Sequence, residues 1–172
     1  MSSTFDILAI TTFSGLLLFA VVMDIRRRVI PNVACLGIVV LGVITSIFSS
    51  GVAGLTSSVI GMAIGLVVLL PVYAFGRLGA GDVKLLAACG AYLGPVGLVN
   101  GTILAFLIGG LLGIYYILVS RLSYLIPRMY AFFPHSGPSH KKIELPYGVA
   151  IAGGSILSLW LTPLQFTIFG IN

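Results

Sequence analysis

Charge is scarce in this 172-residue chain: Asp, Glu, Lys and Arg together make up 8% of it, against 59% hydrophobic residues and a mean hydropathy of +1.18. Ordinary soluble domains carry roughly 25% charged residues, so the shortfall excludes a cytosolic enzyme and a disordered chain. Cysteine is nearly absent too. Cys35 and Cys89 are too few for a disulfide-rich secreted module or a four-cysteine zinc site, and each lies in an apolar stretch, where cysteine behaves as a small buried hydrophobe. The nine basic residues give a net charge of +5, but they fall in short segments between apolar runs rather than along one soluble face, which argues against nucleic acid as a partner. The segment from Met1 to Asp6 has no basic region of a secretory signal, so the first apolar stretch is expected to be retained. The bilayer is the expected solvent.

What the chain does contain is long runs without charge. A membrane-spanning helix needs about 17 to 25 apolar residues. Seventeen residues between Asp6 and Asp24 fit one helix, and 48 between Arg28 and Arg77 fit two, broken near Ser49, Ser50 and Gly51. The 36 between Lys84 and Arg121 are broken by Gly94 and Pro95, and the 28 after Glu144 make a last helix. The expectation is an all-α polytopic membrane bundle of about six transmembrane helices in a single domain over residues 1–172, with spans near 5–23, 33–48, 53–75, 80–93, 97–119 and 147–168. The fourth is short between Lys84 and its turn, so it must begin near Ala80 or lean on its neighbours. Six spans place Arg26 to Arg28, then Arg77 and Lys84, then Arg121, Arg128, Lys141 and Lys142 in loops 24–32, 76–82 and 120–146 on one face. By the positive-inside rule that face is cytoplasmic, and both termini lie on the other side. Glycines at four-residue spacing (Gly61 with Gly65, Gly90 with Gly94, Gly97 with Gly101, Gly109 with Gly113) favour close helix packing in lipid.

The four carboxylates are Asp6, Asp24, Asp82 and Glu144. Asp6 and Glu144 stand at helix starts, where a carboxylate caps free N–H groups and favours the helix dipole. Asp24 and Asp82 stand where different apolar helices meet the cytoplasmic face, a costly placement that points to function. Plainer roles are also open to them: Asp24 as counter-ion to Arg26, Arg27 or Arg28, and Asp82 as a helix cap paired with Lys84. If the bundle brings the two together, like charges cannot both ionise, so the pair shares a proton. One member can then activate water against a peptide carbonyl while the other polarises that carbonyl, with no metal or other cofactor. Gly79 and Gly81, before Asp82, allow close backbone approach. His135 and His140 lie in a Pro/Gly/Ser-rich segment and read as solvated loop rather than metal ligands. Tyr115, Tyr116, Tyr124, Tyr130, Phe132, Phe133 and Trp160 read as interfacial anchors and core.

The segment from Asp24 to Pro31 and Asn32, and the later Gly79-Ala80-Gly81-Asp82-Val83-Lys84, resemble the paired motifs of the prepilin peptidases, membrane aspartic proteases with a Gly-x-Gly-Asp signature. The run from Leu145 through Pro146, Tyr147 and Gly148 to Gly153 is similar to that family's opening of its last helix. The resemblance covers roughly residues 5 to 165. It implies an aspartic endopeptidase of the bacterial inner membrane, with Asp24 and Asp82 catalytic and Gly79, Gly81, Lys84, Pro31 and Asn32 shaping the site or binding substrate. The implied partners are prepilin or pilin-like precursors, cut after a short basic leader at the cytoplasmic face, and a bilayer with anionic head groups. Larger family members carry a zinc-binding insertion with paired Cys-x-x-Cys motifs, and some methylate the new amino terminus. This sequence has no such motifs, so it resembles the short, peptidase-only branch serving Flp or tight-adherence pili, and no methyltransferase activity is expected. Lys84 or an arginine of the 26–28 cluster is a candidate receiver for a substrate glutamate beyond the cleavage point, although the arginines also serve topology alone. Two other readings compete: a Gly-x-Gly-Asp protease cutting within transmembrane segments, and a small transporter or scaffold using the aspartates as an ion relay.

Overall fold

The computed structural model describes residues 3–76, 79–125 and 147–169. Every element among them is α-helical: α1 (Ser3–Arg27), α2 (Asn32–Ala74), α3 (Ala80–Leu125) and α4 (Tyr147–Phe169). Three stretches, Ile7–Arg27, Asn32–Ala74 and Ala80–Val119, are long and apolar enough to cross a membrane, and Tyr147–Leu159 is a shorter apolar helix.

α2 and α3 are each interrupted once. Gly51 has φ 57° and ψ −129°, and Gly94 has φ 68° and ψ −179°. Only glycine takes such dihedrals without a Cβ penalty, and Pro95 further drives its predecessor out of the helical region. At both points the chain turns back on itself. Twelve residues of straight helix rise about 18 Å, yet the hydroxyls of Ser46 and Ser58 lie 2.8 Å apart across Gly51. Across Gly94, Leu86 lines one small cavity with Thr102, Ala105 and Phe106, which a straight helix would hold about 24 Å or more away. α2 and α3 are therefore helical hairpins, with residues 32–50 against 52–74 and 80–93 against 95–125.

α3 packs along α2 and α4, and α1 packs along α2 and α4. The fully buried side chains Phe13, Leu17, Ile38, Leu69, Leu85, Leu86, Leu98 and Ile151 come from all four helices. Small residues set the distance between α2 and α3. A Cβ on Gly61 would collide with the backbone of Gly90, and one on Gly65 would stand 2.8 Å from Ala87 Cα. Beside this seam the buried Ser58 hydroxyl donates to the Ala91 carbonyl at 2.7 Å, a satisfied polar contact between the two elements. Gly113, by contrast, faces open space. Outward, Leu18, Phe48, Val52, Leu111, Ile114 and Tyr115 are exposed, an apolar jacket suited to lipid rather than water.

Two helix ends extend further than the apolar runs alone indicate. α1 continues through Arg27, so Asp24 lies in its last helical turns and Arg26 and Arg27 stand where cations favour the helix dipole. α3 continues to Leu125, past the start of the expected 120–146 loop. Arg77, Arg128, Lys141, Lys142, Glu144, His135 and His140 lie outside the described residues, as do the side chains of Asp6, Arg121 and Trp160.

Candidate active site

The chain leaves α1 through Arg28, which adopts φ 52° and donates its backbone N–H to the Asp24 carbonyl at 2.8 Å. That is a left-handed helix ending, usually given to glycine. Val29 and Ile30 follow, and Pro31, fixed at φ −67° and ψ 132°, starts α2 by accepting backbone N–H groups of Ala34 and Cys35. This four-residue connection, residues 28–31, returns the chain beside the end of α1 and turns Asn32 toward α3.

α3 begins with a local device of its own. The Gly79 N–H donates to Asp82 Oδ2 at 3.3 Å, and the Asp82 N–H donates to the Gly79 carbonyl at 3.2 Å. A carboxylate three residues into a helix that bonds back to the cap residue's N–H is half of a capping box, and it holds Asp82 at the mouth of α3. Gly81 lies against Ile30, where an added Cβ would stand 3.2 Å from the isoleucine Cβ. Close packing of the two connections therefore rests on the glycine. The Lys84 ammonium donates to Asn32 Oδ1 at 3.3 Å, so the capping partnership between Lys84 and Asp82 open from the sequence gives way to a tie between α3 and the start of α2.

Asp24 and Asp82 line one open cavity of about 400 Å³, shared with Arg28 to Asn32, Gly79 to Gly81 and Lys84. All seven residues singled out from the sequence are thus brought together. Asp24 stands in the last turns of α1 and Asp82 in the first turn of α3. Burial and the neighbouring charge of Asp24 push Asp82 up to about 6, against a smaller lowering by the Gly79 N–H. Burial also raises Asp24, with the Gly148 N–H and the Arg28 guanidinium pulling the other way. A carboxyl that is buried beside a second carboxylate keeps its proton to a higher pH than an isolated one. Such a pair can take a proton from water with one member and donate one with the other. Among the described residues no three of His, Cys, Asp and Glu cluster as a metal site.

Gly148 is a member of the site that the sequence did not single out by role, and Arg28, a candidate counter-ion from the sequence, lies close to Asp24. A Cβ on Gly148 would fall 2.7 Å from Asp24 Oδ2, so the first turn of α4 lies directly against the carboxylate. The third motif, from Leu145 onward, was the available signal for Gly148. Nothing local marks Arg28 as a left-handed residue, because that conformation is normally glycine's.

A helical membrane bundle with two aspartates facing one cavity at its helix ends defines the class. The sequence model of the type IV leader peptidase family matches residues 11–114. The prepilin leader peptidase/N-methyltransferase of Bacillus subtilis (strain 168) is 32% identical over 151 residues, which cover 85% of this chain and 52% of that protein. The chain thus spans about half the length of the curated relative it matches. No solved structure matches. The chain belongs to the type IV leader peptidase family.

Proposed function

We propose that this chain is an aspartic endopeptidase that removes the short basic leader from prepilin or pilin-like precursors at the cytoplasmic face of a bacterial inner membrane. The observation that carries the reading is the shared cavity of Asp24 and Asp82 at the ends of two helices, with the charge of Asp24 helping to raise Asp82. Family membership supplies the substrate class, and the basic residues around the cavity supply the sidedness.

In the reaction, the ionised carboxylate accepts a proton from water as its oxygen attacks the scissile carbonyl carbon. The protonated partner donates to the carbonyl oxygen. When the tetrahedral adduct collapses, the C–N bond breaks and a carboxyl proton passes to the leaving nitrogen, which becomes the amino terminus of the mature pilin. Cleavage at the boundary, rather than within the bilayer, follows from the position of both aspartates beyond the charge-free runs, beside Arg28 and Lys84. The remaining elements of the proposal are six spans, formed by α1, the two hairpins and α4, and service to Flp or tight-adherence pili.

The test is co-expression of a pilin-like precursor with the wild type, Asp24→Asn or Asp82→Asn, with membrane levels followed in parallel. Asparagine keeps the shape and removes the titrating oxygen. Cleavage by the wild type, and loss of at least about 10³-fold in each inserted variant, is the expected outcome on general acid–base magnitudes. Comparable cleavage by either variant would make that aspartate a structural counter-ion.

A further inference from the structure

Two like carboxyl groups in one cavity leave open which of them gives up its proton first, and the surroundings of this pair are unequal. Asp82 is held from its own element, by the Gly79 N–H at 3.3 Å. Asp24 is met from elsewhere. Its Oδ2 is shielded from solvent, and facing it is the first turn of α4 at Gly148, where the side chain is missing at the one place a Cβ would lie 2.7 Å from the carboxylate oxygen. A helix N-terminus presents unpaired N–H groups and the positive end of the dipole. Here the start of α4 lies against Asp24, which also has the Arg28 guanidinium close by, whereas Asp82 stands in the first turn of its own helix, α3.

We propose that Gly148 is a positioning residue for the carboxylate pair: its bare backbone lets the start of α4 seat against Asp24 and keep that aspartate as the ionised, water-activating member, which assigns the proton-donating role to Asp82. The inference rests on the aspartic peptidase reading and adds a division of labour to it. Burial raises both carboxyls; at Asp24 the Gly148 N–H and Arg28 offset it, whereas at Asp82 the charge of Asp24 adds to it and only the Gly79 N–H pulls the other way. Among the described residues, the charged and titratable groups around the pair are Arg28 from the end of α1, Lys84 from α3 and Tyr147 from α4, with Asn32 the polar contribution of α2. Of these only Arg28 adds to the preference for charged Asp24.

The experiment has three arms on the full chain in membranes or detergent. Gly148→Ala is compared with Gly153→Ala, whose added methyl meets only the mobile tip of Ile108 at 3.3 Å and serves as the control for altering a glycine of α4. The expected result for Gly148→Ala is a fall in kcat of about tenfold or more with little change in KM, and an acidic limb of kcat/KM moved up by about 1 pH unit as the charged form of Asp24 loses support. Gly153→Ala keeps the wild-type profile. An inserted Gly148→Ala protein with an unmoved acidic limb, whether its rate is normal or reduced, overturns the proposal, because a purely structural defect lowers the rate without shifting that titration.

The second arm needs no glycine variant to fold. Infrared titration of the carboxyl bands of the wild type, assigned with Asp24→Asn and Asp82→Asn, is expected to show Asp24 deprotonating at lower pH than Asp82. The reverse order overturns the assignment. In the third arm, cleavage that survives Asp24→Asn removes the peptidase mechanism beneath the proposal, a failure distinct from the other two because it leaves the order of deprotonation unaffected.

Discussion

Asp82 carries opposite demands. In the folded protein, burial and the charge of Asp24 push its carboxyl up to about 6 from an ordinary 3.8. A group with a raised folded-state pKa binds more protons folded than unfolded between those two values, so its contribution to stability declines as pH rises through that window. Asp82→Asn is therefore expected to raise thermal stability in detergent at pH 7 while abolishing cleavage, with the gain shrinking below pH 4. Equal melting temperatures for wild type and variant at pH 4 and pH 7 would show that the site stores no such cost. This trade is the residue-scale signature of a functional carboxylate, since a counter-ion loses stability on removal. It also marks what local sequence reveals. The scarcity of acids was enough to single out Asp24 and Asp82, and a Gly-x-Gly-Asp run placed the second at a helix mouth. The partners of Lys84 and Asp24 were not legible, because Asn32 and Gly148 reach them across 52 and 124 residues of chain through packing that no local pattern encodes.

At the scale of elements, glycine does two different jobs. At Gly51 and Gly94 it reverses the chain, and both positions were readable from neighbouring serines or a following proline among apolar residues. At Gly61 and Gly90 it brings backbones together, and here spacing alone misleads: of the four pairs at four-residue intervals, Gly94 is a reversal and Gly113 faces open space. The structure separates them by what a Cβ would meet. Gly90→Val drives side-chain atoms into Gly61 and is expected to destabilise the bundle by about 1–3 kcal/mol, as overpacking does. Gly113→Ala is expected to be neutral or slightly stabilising, since it meets nothing and improves helix propensity. Thermal melts of the two variants in one detergent check the contrast, and a Gly113→Ala protein as unstable as Gly90→Val would place a partner on that face.

For the whole molecule, the hairpin architecture and the positive-inside rule make a joint statement about sidedness. The end of α1, the start of α2 and the start of α3 share one face, and the reversal at Gly51 forms the far tip of the α2 hairpin. Replacing the exposed Arg27 or the exposed Ser50 by cysteine gives two reporters, with the native Cys35 and Cys89 both buried. An impermeant maleimide is expected to label position 27 from the cytoplasmic side only and position 50 from the opposite side only. Labelling of both from one side would reject the arrangement of spans. The all-helical class was legible from composition, because an apolar chain in lipid must satisfy its backbone within each segment. How the bundle closes around the aspartates was not, since α3 packs on α2 and α4 through contacts between distant parts of the chain.

The seating of α4 on Asp24 also has a meaning in time. Synthesis delivers both aspartates by residue 82, but Gly148 arrives 66 residues later. At about 5–20 residues per second, that interval is roughly 3–13 s. During it the nascent chain holds its two acids without the helix that seats against Asp24, so the cavity's surroundings are complete only once the last helix has joined the bundle.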